Sequence, residues 1–336
     1  MILVTGAAGF IGSNLVAALN ERGRDDLVLC DWLGEDGRWQ NLAKCCFRHI
    51  LTPPQLFDWL GTPEAAGIDT VLHMGAISET TASDGDLVME RNYHFTKQLW
   101  TWCGATGATF VYASSAATYG DGAAGFSDAL DLTGLKRLRP LNLYGWSKHV
   151  FDLFAVGAQA RSLNSEASPT WIPPRWYGLK FFNVFGPNEY HKGAMRSVVC
   201  KMAPDILAGR AVSLFRSHKA GYADGGQLRD FIGVEDVCAV VLHFSREPAP
   251  SGLYNVGTGQ ACTFADFISA AFRAAGHAPQ IDYVPMPEDL RGRYQYFTQA
   301  ETERLRASGY NQPFTPIEDS VGRYVRNYLA AADPYR

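Results

Sequence analysis

The chain has 336 residues, 47% of them hydrophobic, and a net charge of −4 with acidic and basic residues interspersed. At roughly 100–200 residues per domain, this length predicts about two domains or one large α/β unit, with ample apolar side chains for a core. The charge balance excludes a polybasic nucleic-acid surface, and no apolar run reaches the ~18 residues that a membrane span needs.

In chain order, ILVTG (2–6) reads as a buried strand and residues 10–22 as a helix. LVLCD (27–31) is a second strand, DTVLHM (69–74) a third and ATFVYAS (108–114) a fourth, with a helix at about 86–104 between the last two. Residues 142–160 read as a helix, and WYGLKFFNVFG (176–186) as a strand and loop. SEASPTWIPPR (165–175) and KAGYADGGQ (219–227) are surface loops by their Ser, Pro and Gly content. DFIGVEDVCAVVLHF (230–244) reads as a strand end and a helix returning to the first domain. LYNVGTG (253–259) is a strand and Gly turn, and TFADFISAAFRAAG and ETERLRASGY are helical. Alternating strands and helices predict a parallel sheet covered on both faces. The expected fold is therefore α/β: a Rossmann-type doubly wound sheet with a smaller, interleaved C-terminal substrate domain.

MILVTG enters a strand at once, without a charged or apolar leader, so no signal peptide is expected. Cys30, Cys45, Cys46, Cys103, Cys200, Cys238 and Cys262 are odd in number, scattered and free of CxxC. That pattern fits a reducing cytosol and a cytoplasmic protein. No His or Cys stands at metal-ligand spacing beside Cys45–Cys46, so no metal site is expected.

TGAAGFIG sets Gly6, Gly9 and Gly12 directly after the first strand, at the start of a helix. Glycines there let the backbone approach a pyrophosphate, while the helix N-terminus offers free N–H donors. Asp31 ends the second strand, where a carboxylate usually takes a ribose 2′-OH, and this argues for NAD. Arg38 is placed to pair with a 2′-phosphate, which argues for NADP. From the residues alone both stay open.

PLNLYGWSKHVFD carries Tyr144 and Lys148 at i and i+4 of a helix, projecting from one face. A cation beside a phenol lowers its pKa from about 10 towards neutrality, which suits acid/base work on an alcohol–carbonyl couple. Ser115, in YASSAATYG, is placed to hydrogen-bond the reacting oxygen.

Glycine cradle, Ser, Tyr and Lys in this order resemble the extended short-chain dehydrogenase/reductase superfamily. MILVTGAAGFIGSNLVAALN, SSAATYG, PLNLYGWSK, FFNVFGPNEYHKGAM, LRDFIGVEDV and GRYQYFTQA resemble its ADP-glyceromanno-heptose 6-epimerase family over nearly the whole chain, with insertions around 121–137, 161–175 and 217–227. The HKGAM and GRYQ-FTQA stretches are the specific ones. The resemblance implies an isomerase that inverts C6″ of ADP-heptose, a lipopolysaccharide inner-core precursor, with tightly held NADP. It implies a homo-oligomer, with a pentamer as the expected form.

By position, the resemblance makes Tyr144 and Lys192 the two acid/base residues. Gly6, Gly9, Phe10, Ile11, Gly12, Asp31, Trp32, Arg38, Met74, Gly75, Ala76, Ile77, Ser78, Asn92, Lys148, Val184 and Lys192 would line the cofactor. Ser115, Asn183, Ala194, Lys201, Phe215, Arg229 and Tyr294 would face the substrate. Residues 1–183 plus about 228–256 would bind NADP, and 184–227 plus 257–336 the sugar nucleotide. Four positions depart from the family pattern. Trp32 stands for an Asn, Met74 for a Glu, Ala194 for a Ser and Lys201 for a His.

The chemistry asks for a second proton shuttle. Hydride leaves one face of C6″ and must return to the other, but the nicotinamide cannot change sides. The sugar end must swivel about C5″–C6″, and the oxygen then lies beyond the 2.6–3.2 Å that proton transfer needs from the first group. Lys192, in a Gly-flanked loop, is the candidate; a phosphate-binding or solvated lysine is the plain alternative. His191 stays unassigned. Arg229 suits a diphosphate, or else an ion pair with Asp230 or Asp224. Tyr294 and Arg293 would close the pocket, or else Tyr294 is a packed aromatic.

Three other functions fit parts of the pattern. A 4,6-dehydratase would want an Asp–Glu pair where Ala116, Ala117 and Thr118 stand. A hexose 4-epimerase would leave Lys192 without a task. A non-catalytic dinucleotide sensor would not need Tyr144 and Lys148.

Overall fold

Four consecutive buried residues, Ile2–Thr5, form a strand (β1) with no exposed face, as a central parallel strand requires. Around it the computed structural model, which describes residues 1–163, 170–291 and 294–336, builds a seven-stranded parallel sheet. The other strands are β2 (Leu27–Cys30), β3 (His49–Leu51), β4 (Thr70–His73), β5 (Thr109–Ser115), β6 (Trp176–Phe181) and β7 (Gly252–Val256). Their order is β7-β6-β5-β4-β1-β2-β3. The chain leaves β1 towards β2 on one side and returns to β4 on the other. The carboxyl ends of β1 and β4 thus flank the crevice where such sheets hold ligands.

Side-chain alternation sorts the core. Ile2, Val4, Leu27 and Leu29 pack under α1 (Phe10–Asn20) and the helix Val234–Arg246. Leu3, Val28 and Cys30 face the opposite layer, with Leu99 and Trp100 from Phe95–Thr106 and Phe151 from α2 (Leu143–Ser162). A third cluster stands apart from the sheet. Val199, Ile206, Phe267, Phe272 and Val321 come from three helices, Val198–Leu207, Phe264–Ala274 and Ile317–Tyr324. Among the described residues no helix is long and apolar enough to cross a membrane.

One expectation is corrected, and two features were not anticipated. The edge strand β3 was not anticipated, because three residues are too short to show a period. The single helix expected at about 86–104 is Gly85–Met89, a π-helical turn at Glu90–His94, and Phe95–Thr106. Extra residues in such a turn re-aim side chains. Here the turn holds buried Asn92. Finally, Phe231–Gly233 does not join the main sheet. It pairs in parallel with Asn183–Phe185 as a separate two-stranded ladder, so FFNVFG holds two strands in two sheets.

Candidate active site

The cradle follows β1. Gly6 has φ +64°, and a side chain on it would overlap the backbone of Met74 and Gly75 after β4. A Cβ on Gly12 would overlap the Gly6 carbonyl oxygen. Gly9 caps α1 with no side chain of its own, so the helix N-terminus stays open to a ligand. Asp31 accepts from the Ala8 N–H at 2.9 Å and the Trp32 N–H at 2.7 Å. Burial raises its pKa. Turn, open helix end and strand-end carboxylate together fit a dinucleotide.

The rim of the cradle is aromatic and charged. Trp32 is 41% exposed, with the Arg91 guanidinium 5.1 Å from its ring centre. Arg38 is held by Asp36, with Nε 2.9 Å from Oδ1 and Nη2 2.5 Å from Oδ2. Asn92 is buried and occupied. Its amide donates to the Ile77 carbonyl and Ser147 Oγ, and its oxygen accepts from the Ile77 N–H. It therefore shapes the 74–78 stretch from beneath and presents no free donor.

Tyr144 and Lys148 share the first two turns of α2, which Asn142 caps by accepting from the Gly145 N–H. Burial pushes the Tyr144 phenol up, while a hydrogen bond with Ser115 pulls it down. The net direction is upward, opposite to the lowering expected from Lys148. Burial draws Lys148 itself down to about 8, with Asp152 opposing. His73, also buried, hydrogen-bonds Thr5 and Thr96, and burial followed by the Lys148 charge keeps its pKa low.

Beneath this helix lies an ion pair not foreseen from the sequence. Lys180 Nζ is 2.6 Å from Asp152 Oδ2, and both side chains are fully buried. Lys180 also donates to Thr118, and Tyr112 and Ser114 donate to Asp152. Thr118 of the SSAAT stretch is thus committed to this network. Lys180→Met strands a buried carboxylate and is expected to cost about 3–5 kcal/mol. Urea unfolding monitored by circular dichroism measures it; an unshifted midpoint would refute it.

Lys192 lies in the 3₁₀ turn Tyr190–Met195, with Nζ 5.4 Å from the Phe10 ring centre at the head of α1. Burial lowers its pKa, and Glu189 opposes. Several residues that sequence reasoning passed over pin this loop. Asn14 donates to Pro187, Asn188 to Ser13, and Asn41 to Asn188, at 2.9, 3.1 and 3.2 Å. Glu189 is buried and accepts from Ser197 Oγ and Tyr324. Thr80 beyond β4 reaches Met195 Sδ at 3.6 Å. The available signals were Ser13 and Asn14 inside an apolar helix pattern. Asn188 is further held at φ 69°.

The expected substrate residues fall into two groups. Arg229 is buried, donates to the Leu228 and Gln295 carbonyls, and lies over the Phe264 and Tyr294 rings. Phe215 meets Tyr294 edge-on at 6.4 Å. The alternative ion pair of Arg229 with Asp230 is absent, since Asp230 accepts from Thr258, Gly259 and Ala300. Asp224 accepts from Ser217. Asn183 accepts from Thr298 at 3.3 Å, and Val184 packs on the main core. Ala194 and Lys201 are exposed and meet each other, Lys201 Nζ lying 3.4 Å from the Ala194 carbonyl. Arg293 lies outside the described residues. Tyr144 and Lys192 share no hydrogen bond.

The sequence profile of the NAD dependent epimerase/dehydratase family matches residues 2–257. The chain belongs to this family. Among its relatives, the ADP-L-glycero-D-manno-heptose-6-epimerase of Nitratidesulfovibrio vulgaris is 47% identical over 336 residues, all of both chains. The crystal structure of the Helicobacter pylori ADP-L-glycero-D-manno-heptose-6-epimerase superposes with TM-score 0.76 at 28% identity, over 98% of this chain and 96% of that one. A second epimerase/dehydratase fold, the Thermus thermophilus UDP-glucose 4-epimerase in complex with NAD, gives TM-score 0.72 at 25% identity, over 98% and 99%.

Proposed function

We propose that the chain interconverts ADP-D-glycero-D-manno-heptose and ADP-L-glycero-D-manno-heptose at C6″, using a bound nicotinamide dinucleotide that is NADP in preference to NAD. The observation that carries this reading is Lys192: a second basic side chain, desolvated and pinned over the head of α1, beside the cradle but separate from Tyr144. The full-length relatives of that name support it.

Gly6, Gly9, Phe10, Ile11 and Gly12 hold the pyrophosphate end, Asp31, Trp32 and Arg38 the adenosine end, and 74–78, Lys148 and Val184 the nicotinamide side. The nicotinamide, when bound, supplies reversible hydride transfer at C6″. Ser115 orients the sugar oxygen, and Tyr144 removes or returns its proton for one epimer. Lys192 does the same once rotation about C5″–C6″ has carried the oxygen to the other side. Asn183, Ala194, Lys201, Phe215, Arg229 and Tyr294 hold the ADP-sugar, with Arg229 the cation for the diphosphate once it gives up a carbonyl of Leu228 or Gln295. Residues 1–183 with about 228–256 serve the cofactor, and 184–227 with 257–336 the substrate. The product belongs to lipopolysaccharide core synthesis, and the working form is a cytoplasmic homo-oligomer.

Purified protein incubated with either ADP-heptose epimer and no added cofactor should yield the same mixture of both from either side, read by chromatography. If each epimer stayed unchanged while UDP-glucose and UDP-galactose interconverted, the chain would be a hexose 4-epimerase instead.

A further inference from the structure

Arg38 enters the cofactor site already engaged. Asp36 contacts its guanidinium through both carboxylate oxygens, with Nε at 2.9 and 3.1 Å and Nη2 at 2.5 Å, and also accepts from the Arg38 backbone N–H at 3.2 Å. The two residues sit on either side of Gly37, whose φ of 76° folds the chain back so that they meet. Only the Nη1 edge of the fork is without a protein acceptor among the described residues. The other groups facing the pair are Asp31, His191 and, through His191, Asn41 at 3.3 Å. His191 is drawn down to about 4, chiefly by burial and then by Arg38, so it brings no charge at neutral pH.

We propose that Asp36 is a specificity-determining residue for the dinucleotide, one that occupies Arg38 and so restrains the preference for a 2′-phosphate over a free 2′-OH. This rests on the NADP reading above. A 2′-phosphate has two ways to use Arg38. It can displace the Asp36 carboxylate from the fork, which costs the ion pair. It can instead bind the remaining edge, which sets two anions on one guanidinium. Either route penalises NADP and leaves NAD untouched. The hydrogen bond from Arg38 holds the Asp36 carboxyl down to about 2, so this penalty is present throughout the physiological range. Asp36 and Arg38 are part-exposed, at 35% and 30% of their side-chain surface, so the effect is modest and salt-sensitive.

The test strips wild type, Asp36→Asn, Asp36→Ser and Arg38→Ala of nucleotide and titrates each with NADP and with NAD by tryptophan fluorescence, at low and high salt. Asp36→Asn and Asp36→Ser should each raise the NADP-to-NAD affinity ratio about three- to tenfold over wild type, with less effect at high salt. Arg38→Ala should lower the ratio below that of wild type. An unchanged or reduced ratio in both Asp36 variants overturns the inference, because Asp36 would then merely orient Arg38 for the phosphate. The wild-type ratio tests the cofactor reading separately: tighter binding of NAD than NADP would overturn that reading, whatever Asp36 does. Circular dichroism on each variant establishes that the fold is kept.

Discussion

Tyr144→Phe is expected to lower the epimerisation rate by about 10²–10⁴-fold, the usual contribution of a positioned acid/base group, while the nucleotide stays bound. Phenylalanine keeps the ring in its place at the start of α2 and deletes only the oxygen. That oxygen is held against Ser115, and its proton is hard to lose in this structure because burial opposes the phenolate. The measurement is the initial rate from each epimer, together with the nucleotide released on denaturation. A rate near wild type would remove Tyr144 from the chemistry. Loss of nucleotide at normal folding would reassign it to binding.

Lys192→Met should cost a similar factor, about 10²–10⁴-fold, because the same group type is removed from the other station. Methionine preserves an apolar stem against Phe10 while deleting the ammonium. The pair of variants gives a sharper signature than either alone. In a single turnover, Lys192→Met should still oxidise one epimer and fail with the other, and Tyr144→Phe should show the reverse preference. Reduction of the bound nicotinamide, followed by its absorbance, reads this directly. If both variants lost the same epimer, one base would serve both faces. If Lys192→Met kept wild-type rates, the two-station mechanism would be wrong. Burial lowers the Lys192 pKa, which enlarges its neutral, proton-accepting fraction near neutral pH.

The local features were legible because they repeat over short distances. ILVT and LVLC read as strands from their unbroken apolar runs, and TGAAGFIG as a strand–turn–helix joint from its glycine spacing. Tyr144 and Lys148 read as one helix face from their separation alone. The three-residue β3 had no such repeat. The π-helical turn around Asn92 was hidden for another reason: it is set by what the side chain must reach, Ile77 and Ser147, and both are distant in sequence.

Sequence by itself determined the doubly wound sheet, the cradle after β1, the helix that carries Tyr144 and Lys148, and the candidacy of Lys192. The first three depend on periodicity, glycine placement and i, i+4 spacing, all within about one element; the candidacy of Lys192 came from the resemblance of the HKGAM stretch to the family. Only the tertiary structure decided what each charged side chain meets. It sent Asp230 to the Thr258 turn and left Arg229 to carbonyls and aromatic rings. It buried Lys180 against Asp152 under α2, and hung the Lys192 loop from Asn14, Asn41 and Glu189. A buried polar group must find a partner, and the packing of distant segments decides which one is within reach.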